Sequence, residues 1–215
     1  MKAYIVSGLG AGFRFLEKLK FPEDIEPVFL DWLLPEPEES FPHYVQKMAD
    51  RIEDSEDFYL LGYSFGGIVV QEIHKLKPAK KVIILGSIRS DKEKSILIKL
   101  GEWSKLPKYI PLKYYDETSS ALYAYIARFF DLKHPKVQQY FQVRDPYYLK
   151  WSIDKISEWK FDALPNVIQI LGDKDEIFPI KNSKPDFVIK NGTHLFPATK
   201  PREVSEILSK VLSSK

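Results

Sequence analysis

Short runs of apolar residues alternate along the chain with longer segments in which apolar residues recur every three or four positions. Six of the short runs are largely continuous rather than alternating, which is typical of parallel strands covered on both faces. They lie at 3–7, 27–32, 57–63, 80–87, 166–172 and 186–190. Strands that alternate with helices predict an α/β fold with a doubly wound, mostly parallel sheet of about six strands.

Three of the longer segments show helical spacing of their apolar residues. Segment 43–54 is predicted to be a helix with Ser40 as its N-cap, because a serine oxygen accepts from the free amides of a first turn. Segment 146–160 is predicted to follow a cap at Asp145, and 201–212 to form the last helix. The apolar stripes of the three helices are, in order, Tyr44, Val45, Met48 and Ile52; Leu149, Ile153 and Ile156; and Val204, Ile207, Leu208 and Val211.

One segment interrupts this alternation. Between the fourth and fifth predicted strands lie about 80 residues without a convincing strand, rich in lysine and in aromatic residues. The segment is too long and too apolar to be a loop. We therefore predict one domain over 1–215, with a helical lid inserted at 88–145. Its aromatic side chains either line a pocket or only pack the helices together, and the pattern does not separate the two.

The composition narrows the classes of function. The 215 residues carry a net charge of +2, from 32 basic and 30 acidic side chains, which favours neither nucleic acid nor an anionic membrane as a partner. The absence of cysteine excludes disulfides, thiolate metal sites and cysteine nucleophiles. No signal peptide is visible, and no apolar stretch reaches the ~20 residues of a membrane helix. We expect a soluble, cytoplasmic protein.

The motif G-x-S-x-G stands at 62–66, within the stretch LLGYSFGGIVV. It lies between a predicted strand at 57–61 and a predicted helix at 65–76, where a sharp turn lifts a serine hydroxyl above the carboxyl edge of a sheet. Glycines on either side let neighbouring backbones approach, and the helix amides favour developing negative charge. Ser64 is therefore a candidate nucleophile; the alternative is that it only caps the helix.

Together with two later segments, this motif resembles the α/β-hydrolase family, in which nucleophile, acid and histidine follow one another along the chain. The sequence GDKDEIFP at 172–179 is similar to the family's acid turn, and NGTHLF at 191–196 to its histidine loop. The resemblance covers nearly the whole chain. It implies a catalytic triad of Ser64, Asp175 and His194.

The acid turn offers three carboxylates. The family pattern places the acid three residues after Gly172, which selects Asp175 over Asp173 and Glu176. Asp173 is expected to bond the amides of its own turn.

The chain has four histidines, of which only His194 lies in a glycine-containing loop after the final strand. His43 and His74 fall in helical patterns and are expected to be structural or solvated. His134, in the inserted segment, has no assigned role.

Two backbone amides are expected to form an oxyanion hole, those of Phe65 and of Leu9, with Gly10 as the alternative to Leu9. Many relatives have His-Gly where this chain has Ser7-Gly8. The alternative is a glycine-rich turn without a catalytic role. The phosphate-binding patterns G-x-G-x-x-G and G-K-[ST] are absent, and we expect neither a cofactor nor a metal.

The chain also departs from the family pattern. It begins with what resembles the family's third strand, so the antiparallel N-terminal hairpin is expected to be missing. About a dozen residues join the last two strands, so the usual helix there is expected to be reduced to a turn or a short piece. Less covered sheet edges favour self-association, so we expect a monomer or a homodimer.

A serine at the sharp turn between strand and helix indicates acyl transfer to water, whereas the resemblance associates haloalkane and epoxide chemistry with an aspartate at this position. We expect a carboxylesterase-like hydrolase acting on a small-molecule acyl substrate: an ester, thioester, amide or lactone. The alternatives are a thioesterase or aminopeptidase-type hydrolase, and a binding protein or receptor that retains the triad without turnover.

Overall fold

The computed structural model describes residues 1–115, 140 and 142–213. Its strands form one six-stranded sheet in the order β2-β1-β3-β4-β5-β6, and all five neighbouring pairs are parallel. The strands are β1 Lys2–Val6, β2 Glu26–Phe29, β3 Phe58–Tyr63, β4 Lys81–Leu85, β5 Val167–Gly172 and β6 Phe187–Ile189. The six predicted strands and the α/β class are confirmed.

Seven α-helices lie in the described residues. They are α1 Phe41–Ala49, α2 Phe65–Leu76, α3 Ile96–Ser104, α4 Leu106–Tyr109, α5 Pro146–Glu158, α6 Phe196–Thr199 and α7 Pro201–Ser213. Short 3₁₀ turns occur at Phe13–Phe15, Asp91–Glu93, Leu112–Tyr115 and Ile180–Asn182. The last of these is the only helical piece between β5 and β6, as the short connection predicted. None of the helices in these parts of the chain is long and apolar enough to cross a membrane.

The sheet has a buried core on each face, which explains the continuous apolar runs. Successive β1 residues alternate between the two cores: Tyr4 packs with α1, α2 and α5, whereas Ile5 packs with α6 and α7. A parallel strand covered on both faces needs an apolar residue at every position, not at every second one.

The predicted helix starts at Ser40 and Asp145 are confirmed. The Ser40 hydroxyl accepts a hydrogen bond from the His43 amide at 3.3 Å. The Asp145 carboxylate accepts one from the Tyr148 amide at 2.8 Å, with a proline in the first turn. Both helices therefore begin where their caps predict.

Two helix predictions need correction. Helix α1 ends at Ala49 rather than near residue 54, because the next amides donate to carbonyls three residues back. Ile52 thus lies in a turn, although it is buried as predicted. In α5 the buried residues are Tyr148, Trp151, Ser152 and Ser157; of the predicted stripe, Leu149 and Ile156 pack against the core only partly buried, and Ile153 is partly exposed. The larger aromatic groups bury more area, and each finds a hydrogen-bond partner.

The predicted lid at 88–145 is only partly within the described residues. Helices α3 and α4 belong to it, and both contact α5. Residues 116–139 and 141, with His134 and much of the aromatic segment, lie outside the described residues. The lid therefore stays a prediction, as does the choice between monomer and homodimer.

Candidate active site

Ser64 lies in a strained turn between the end of β3 and the start of α2. Its φ of 53° and ψ of −118° put a residue with a side chain in a region that glycine normally occupies. The Ser64 amide donates to the carbonyl of Leu85 in β4 at 2.9 Å, which holds the turn against the neighbouring strand end. The predicted strand–turn–helix context of the motif is confirmed.

The glycines of the motif are required by close backbone approach. A Cβ on Gly62 would lie 2.3 Å from the Gly66 carbonyl oxygen, and one on Gly66 would lie 2.2 Å from the carbonyl oxygen of Val6 in β1. Carbon and oxygen atoms do not approach so closely without a bond. These positions therefore admit no side chain while the turn keeps its shape.

Replacing Gly66 by alanine is expected to lower the free energy of unfolding by about 3 kcal/mol, because the backbone of β1 or α2 must move to admit the methyl group. Urea denaturation of the purified variant measures this loss. Gly12→Ala is the control: its methyl group meets the flexible side chain of Gln142, and we expect a cost below about 1 kcal/mol. Equal stability of the two variants would contradict the steric argument.

His194 lies in the loop between β6 and α6, and its ring joins the two other predicted triad residues. Its Nε2 is 2.9 Å from the Ser64 hydroxyl oxygen, and its Nδ1 is 2.8 Å from Oδ2 of Asp175. The histidine is 5% exposed, so the chain of hydrogen bonds is largely shielded from water. The structure thus brings together the three residues that the resemblance selected.

The position of the His194 ring is fixed from several sides. The Tyr63 hydroxyl donates to the His194 carbonyl oxygen at 3.0 Å, and the Tyr63 ring centroid lies 5.4 Å from that of the imidazole. The Phe178 ring lies on another side at 5.7 Å. The imidazole therefore needs little reorganisation to face Ser64.

Asp175 uses its two carboxylate oxygens differently. Oδ1 accepts hydrogen bonds from the amides of Ile177 and Phe178, both at 2.9 Å, and Oδ2 faces His194. The side chain has no solvent exposure. The two amides stabilise the buried negative charge and orient the free oxygen toward the imidazole.

The prediction that Asp173 bonds the amides of its turn is wrong. The Asp173 amide donates to the Ile189 carbonyl oxygen and so extends the pairing of β5 with β6, and the Asp175 amide closes the turn by donating to the Gly172 carbonyl oxygen. Asp175 takes the turn amides instead. Oδ1 of Asp173 is buried and has no hydrogen-bond partner among the described residues.

The acid turn and the histidine loop are joined through their backbones. The Lys174 amide donates to the Gly192 carbonyl at 2.9 Å, and a Cβ on Gly172 would lie only 2.1 Å from that carbonyl oxygen. The glycines on either side of this contact let the two loops meet. The contact sets the distance between acid and imidazole.

The loop after β1 passes beside Ser64, as the predicted oxyanion hole requires. A Cβ on Gly8 would lie 3.6 Å from Cβ of Ser64. The Gly10 amide, the alternative donor, is engaged by the buried Tyr148 hydroxyl at 3.3 Å. Among the described residues, no acceptor takes the amide hydrogen of Leu9 or Phe65. Leu9 is thus the freer of the two candidates.

Two aromatic residues beside this loop were not predicted from the sequence. Trp32, just after β2, donates its indole N–H to the Gly8 carbonyl oxygen at 2.8 Å. Tyr148 of α5 accepts from the amide of Gly10, and burial raises the pKa of its hydroxyl well above the usual range. The one available signal was that Trp32 is the last residue of the predicted strand 27–32, whose carboxyl end lies at the same edge of the sheet as Ser64.

The other described histidines lie apart from this site, as predicted. His43 is exposed, and its Nδ1 is 2.7 Å from a Glu39 carboxylate oxygen. His74 accepts from the Ala79 amide through Nδ1, and burial lowers its pKa. Within the described ranges, no group of three or more acidic or histidine side chains is arranged to hold a metal ion.

Solved structures with the same fold match nearly the full length of the chain. The chain is similar to a lipase-esterase related protein from Clostridium acetobutylicum, at 17% identity over 96% of this chain and 92% of that chain, with a TM-score of 0.64. It is also similar to a thermophilic esterase from Thermogutta terrifontis, at 13% identity over 99% and 89%, with a TM-score of 0.65.

A third similar structure is the RedJ thioesterase of the prodiginine biosynthetic pathway in Streptomyces coelicolor, at 13% identity over 96% of this chain and 84% of that chain, with a TM-score of 0.64. No model of a protein family and no curated protein sequence matches the chain. The structural likenesses and the six-stranded parallel sheet show that the chain has the α/β-hydrolase fold.

Proposed function

We propose that the protein is a serine hydrolase that cleaves a small carboxylic ester or a related acyl compound through an acyl-enzyme. The observation that carries this proposal is the hydrogen-bonded chain from Ser64 through His194 to Asp175, with heavy-atom distances of 2.9 and 2.8 Å. A hydroxyl, an imidazole and a carboxylate in this order make up the arrangement that activates a serine as a nucleophile.

In the acylation step, the Ser64 hydroxyl oxygen attacks the acyl carbon while Nε2 of His194 takes its proton. The carbonyl double bond opens, and its electron pair moves to oxygen. His194 then gives the proton to the leaving alcohol oxygen as the bond to that oxygen breaks. Asp175 keeps the proton on Nδ1 throughout and stabilises the imidazolium.

The negative oxygen of this intermediate needs two donors that are already in place. We assign this role to the amides of Leu9 and Phe65, which belong to the loop beside Ser64 and to the first residue of α2. The N-terminus of α2 adds a favourable partial positive charge. The engagement of Gly10 by Tyr148 supports Leu9 over the alternative.

Deacylation repeats the chemistry with water as the nucleophile. His194 removes a proton from the water, the hydroxide adds to the acyl carbon, and the bond to Ser64 breaks as its oxygen regains the proton. The carboxylic acid leaves, and the three side chains return to their starting protonation states.

The substrate is proposed as a class. The ring centroids of Phe178 and Tyr63 lie 5.7 and 5.4 Å from that of the His194 imidazole, and these largely apolar neighbours favour an uncharged acyl group. A thioester is the second candidate, because one structural neighbour is named as a thioesterase. The acyl-enzyme chemistry is the same for both, and only the leaving atom differs.

An activity screen tests the proposal. Purified protein is assayed with p-nitrophenyl esters of increasing acyl length, matched thioesters and aminoacyl p-nitroanilides, each beside Ser64→Ala. We expect turnover of at least one ester that is lost in the variant. Turnover that persists in Ser64→Ala would contradict the proposal.

Labelling distinguishes an enzyme from a receptor that retains the triad. A fluorophosphonate probe should label the wild-type protein at Ser64 and leave Ser64→Ala unlabelled. Labelling accompanied by steady-state turnover supports the hydrolase. Labelling without turnover on any substrate of the screen would favour a binding protein.

A further inference from the structure

We propose that Trp32 is a positioning residue of the oxyanion hole: its indole N–H directs the amide of Leu9, and its ring holds Phe65. The inference rests on the proposed hydrolase function. It adds to that function a residue outside the triad that would set the geometry of both oxyanion donors.

Trp32 lies three residues after the end of β2 and is 7% exposed. A buried indole N–H needs an acceptor, because leaving it unpaired costs the loss of its hydration. It finds one in the carbonyl oxygen of Gly8, at 2.8 Å. The side chain therefore contacts the loop beside Ser64 through one directed bond.

The Gly8 carbonyl and the Leu9 amide belong to the same peptide unit. The described chain contains no cis peptide bonds, and in a planar trans peptide the C=O and N–H bonds point in opposite directions. A donor that holds the carbonyl on one side thus directs the amide hydrogen to the other. The Ala11 amide also donates to this carbonyl, at 2.9 Å, and completes its two acceptor positions.

The next peptide unit of the turn is held as well. Its amide belongs to Gly10. Gly10 is the third residue of the turn 8–11 and has a φ of +66°, as is typical of a type II turn. The Gly10 amide donates to Tyr148, and the Tyr148 ring lies 5.9 Å from that of Trp32. Trp32 therefore packs against Tyr148, which holds the Gly10 amide, and itself holds the Gly8 carbonyl.

The same indole contacts the second proposed donor. Its ring stacks on the buried ring of Phe65, with centroids 5.3 Å apart and planes inclined by 12°. Each donor must lie within about 2.7–3.1 Å of the same oxygen, so a shift of either donor lowers the stabilisation of the oxyanion. One rigid side chain that touches both segments fixes their separation.

Trp32→Phe tests this role, since phenylalanine keeps a ring for the stack and removes only the donor and part of the indole. We expect kcat on a p-nitrophenyl ester to fall about 10–100-fold, with KM changed by less than about threefold, because bonds to the oxyanion strengthen in the transition state. The apparent pKa in the pH profile of kcat/KM should not move, because the triad is untouched.

Trp151→Phe is the matched control. Trp151 is 5% exposed, and its indole N–H donates to the Glu39 carbonyl oxygen at 2.8 Å, a bond of the same kind that does not go to the loop after β1. A purely structural tryptophan should cost stability without affecting chemistry. We therefore expect a comparable loss of melting temperature in both variants and a kcat of Trp151→Phe within about twofold of wild type.

Equal kcat in the two folded variants would overturn the inference, and so would a loss in Trp32→Phe that lies entirely in KM. If Trp32→Phe does not fold, replacing Trp32 by 3-benzothienylalanine keeps the shape of the ring and substitutes sulfur for N–H, and the same kcat comparison decides. Wild-type protein that hydrolyses no substrate, or that keeps its activity in Ser64→Ala, would overturn the proposed function and this inference together. Ser64-dependent activity with equal tryptophan variants would overturn only the role of Trp32.

Discussion

Ser64→Ala is expected to lower the rate of ester hydrolysis by about 10⁴–10⁶-fold, because the members of a catalytic triad act as a unit and the variant lacks the proposed nucleophile. Steady-state kinetics on the best ester of the screen measure the loss. Folding should remain intact. Alanine removes no contact that holds the turn, because the turn is held by the hydrogen bond from the Ser64 backbone amide to the Leu85 carbonyl oxygen.

Ser90→Ala provides the control for this variant. Ser90 is buried and, like Ser64, directly precedes a helical segment without a cap hydrogen bond from its side chain. We expect its activity to stay within about twofold of wild type. A loss smaller than tenfold in Ser64→Ala, measured free of contaminating host esterase, would contradict the assignment of the nucleophile.

Asp175→Asn is expected to lower kcat by about 10²–10⁴-fold. The asparagine NH₂ group would face Nδ1 of His194, which favours the tautomer that carries its proton on Nε2. That tautomer cannot accept the Ser64 proton. The amide oxygen still accepts from Ile177 and Phe178, so the free energy of unfolding should change by less than about 1 kcal/mol.

Asp173→Asn is the matched control, two residues earlier in the same turn. Because the turn amides bond Asp175 and not Asp173, we expect activity within about threefold of wild type and a stability change within about 0.5 kcal/mol. One ester assay and one thermal melt for each variant decide the question. Loss of activity in Asp173→Asn alone would shift the acid to that position.

The sheet was predictable because its signal is local. A strand buried on both faces reads as a continuous apolar run, and the caps Ser40 and Asp145 mark their helices within a few residues. The end of α1 was not predictable, because Ile52 is buried in a turn that keeps the helical spacing. The buried face of α5 depends on where Tyr148 and Trp151 find acceptors, which only the folded chain decides.

The candidate site also has one part that could be predicted from the sequence and another that could not. Ser64, Asp175 and His194 each lie in a short segment whose residue types reflect a backbone requirement, so the segments resemble their family counterparts even at low identity. The bonds of Trp32 and Tyr148 go to backbone atoms of the loop after β1. Any sequence offers such atoms, and no motif marks them. These contacts become visible only when distant segments are placed in space.

Two of the three proposed triad residues follow strands that differ in how firmly they are held in the sheet. Ser64 follows β3, which has a paired strand on each side, whereas His194 follows β6, an edge strand of three residues whose middle residue is exposed. Local opening of a short edge requires far less free energy than global unfolding. On heating, the loop that carries His194, the proposed general base, should therefore open before the turn that carries Ser64, the proposed nucleophile, so that the serine stays in place but can no longer react.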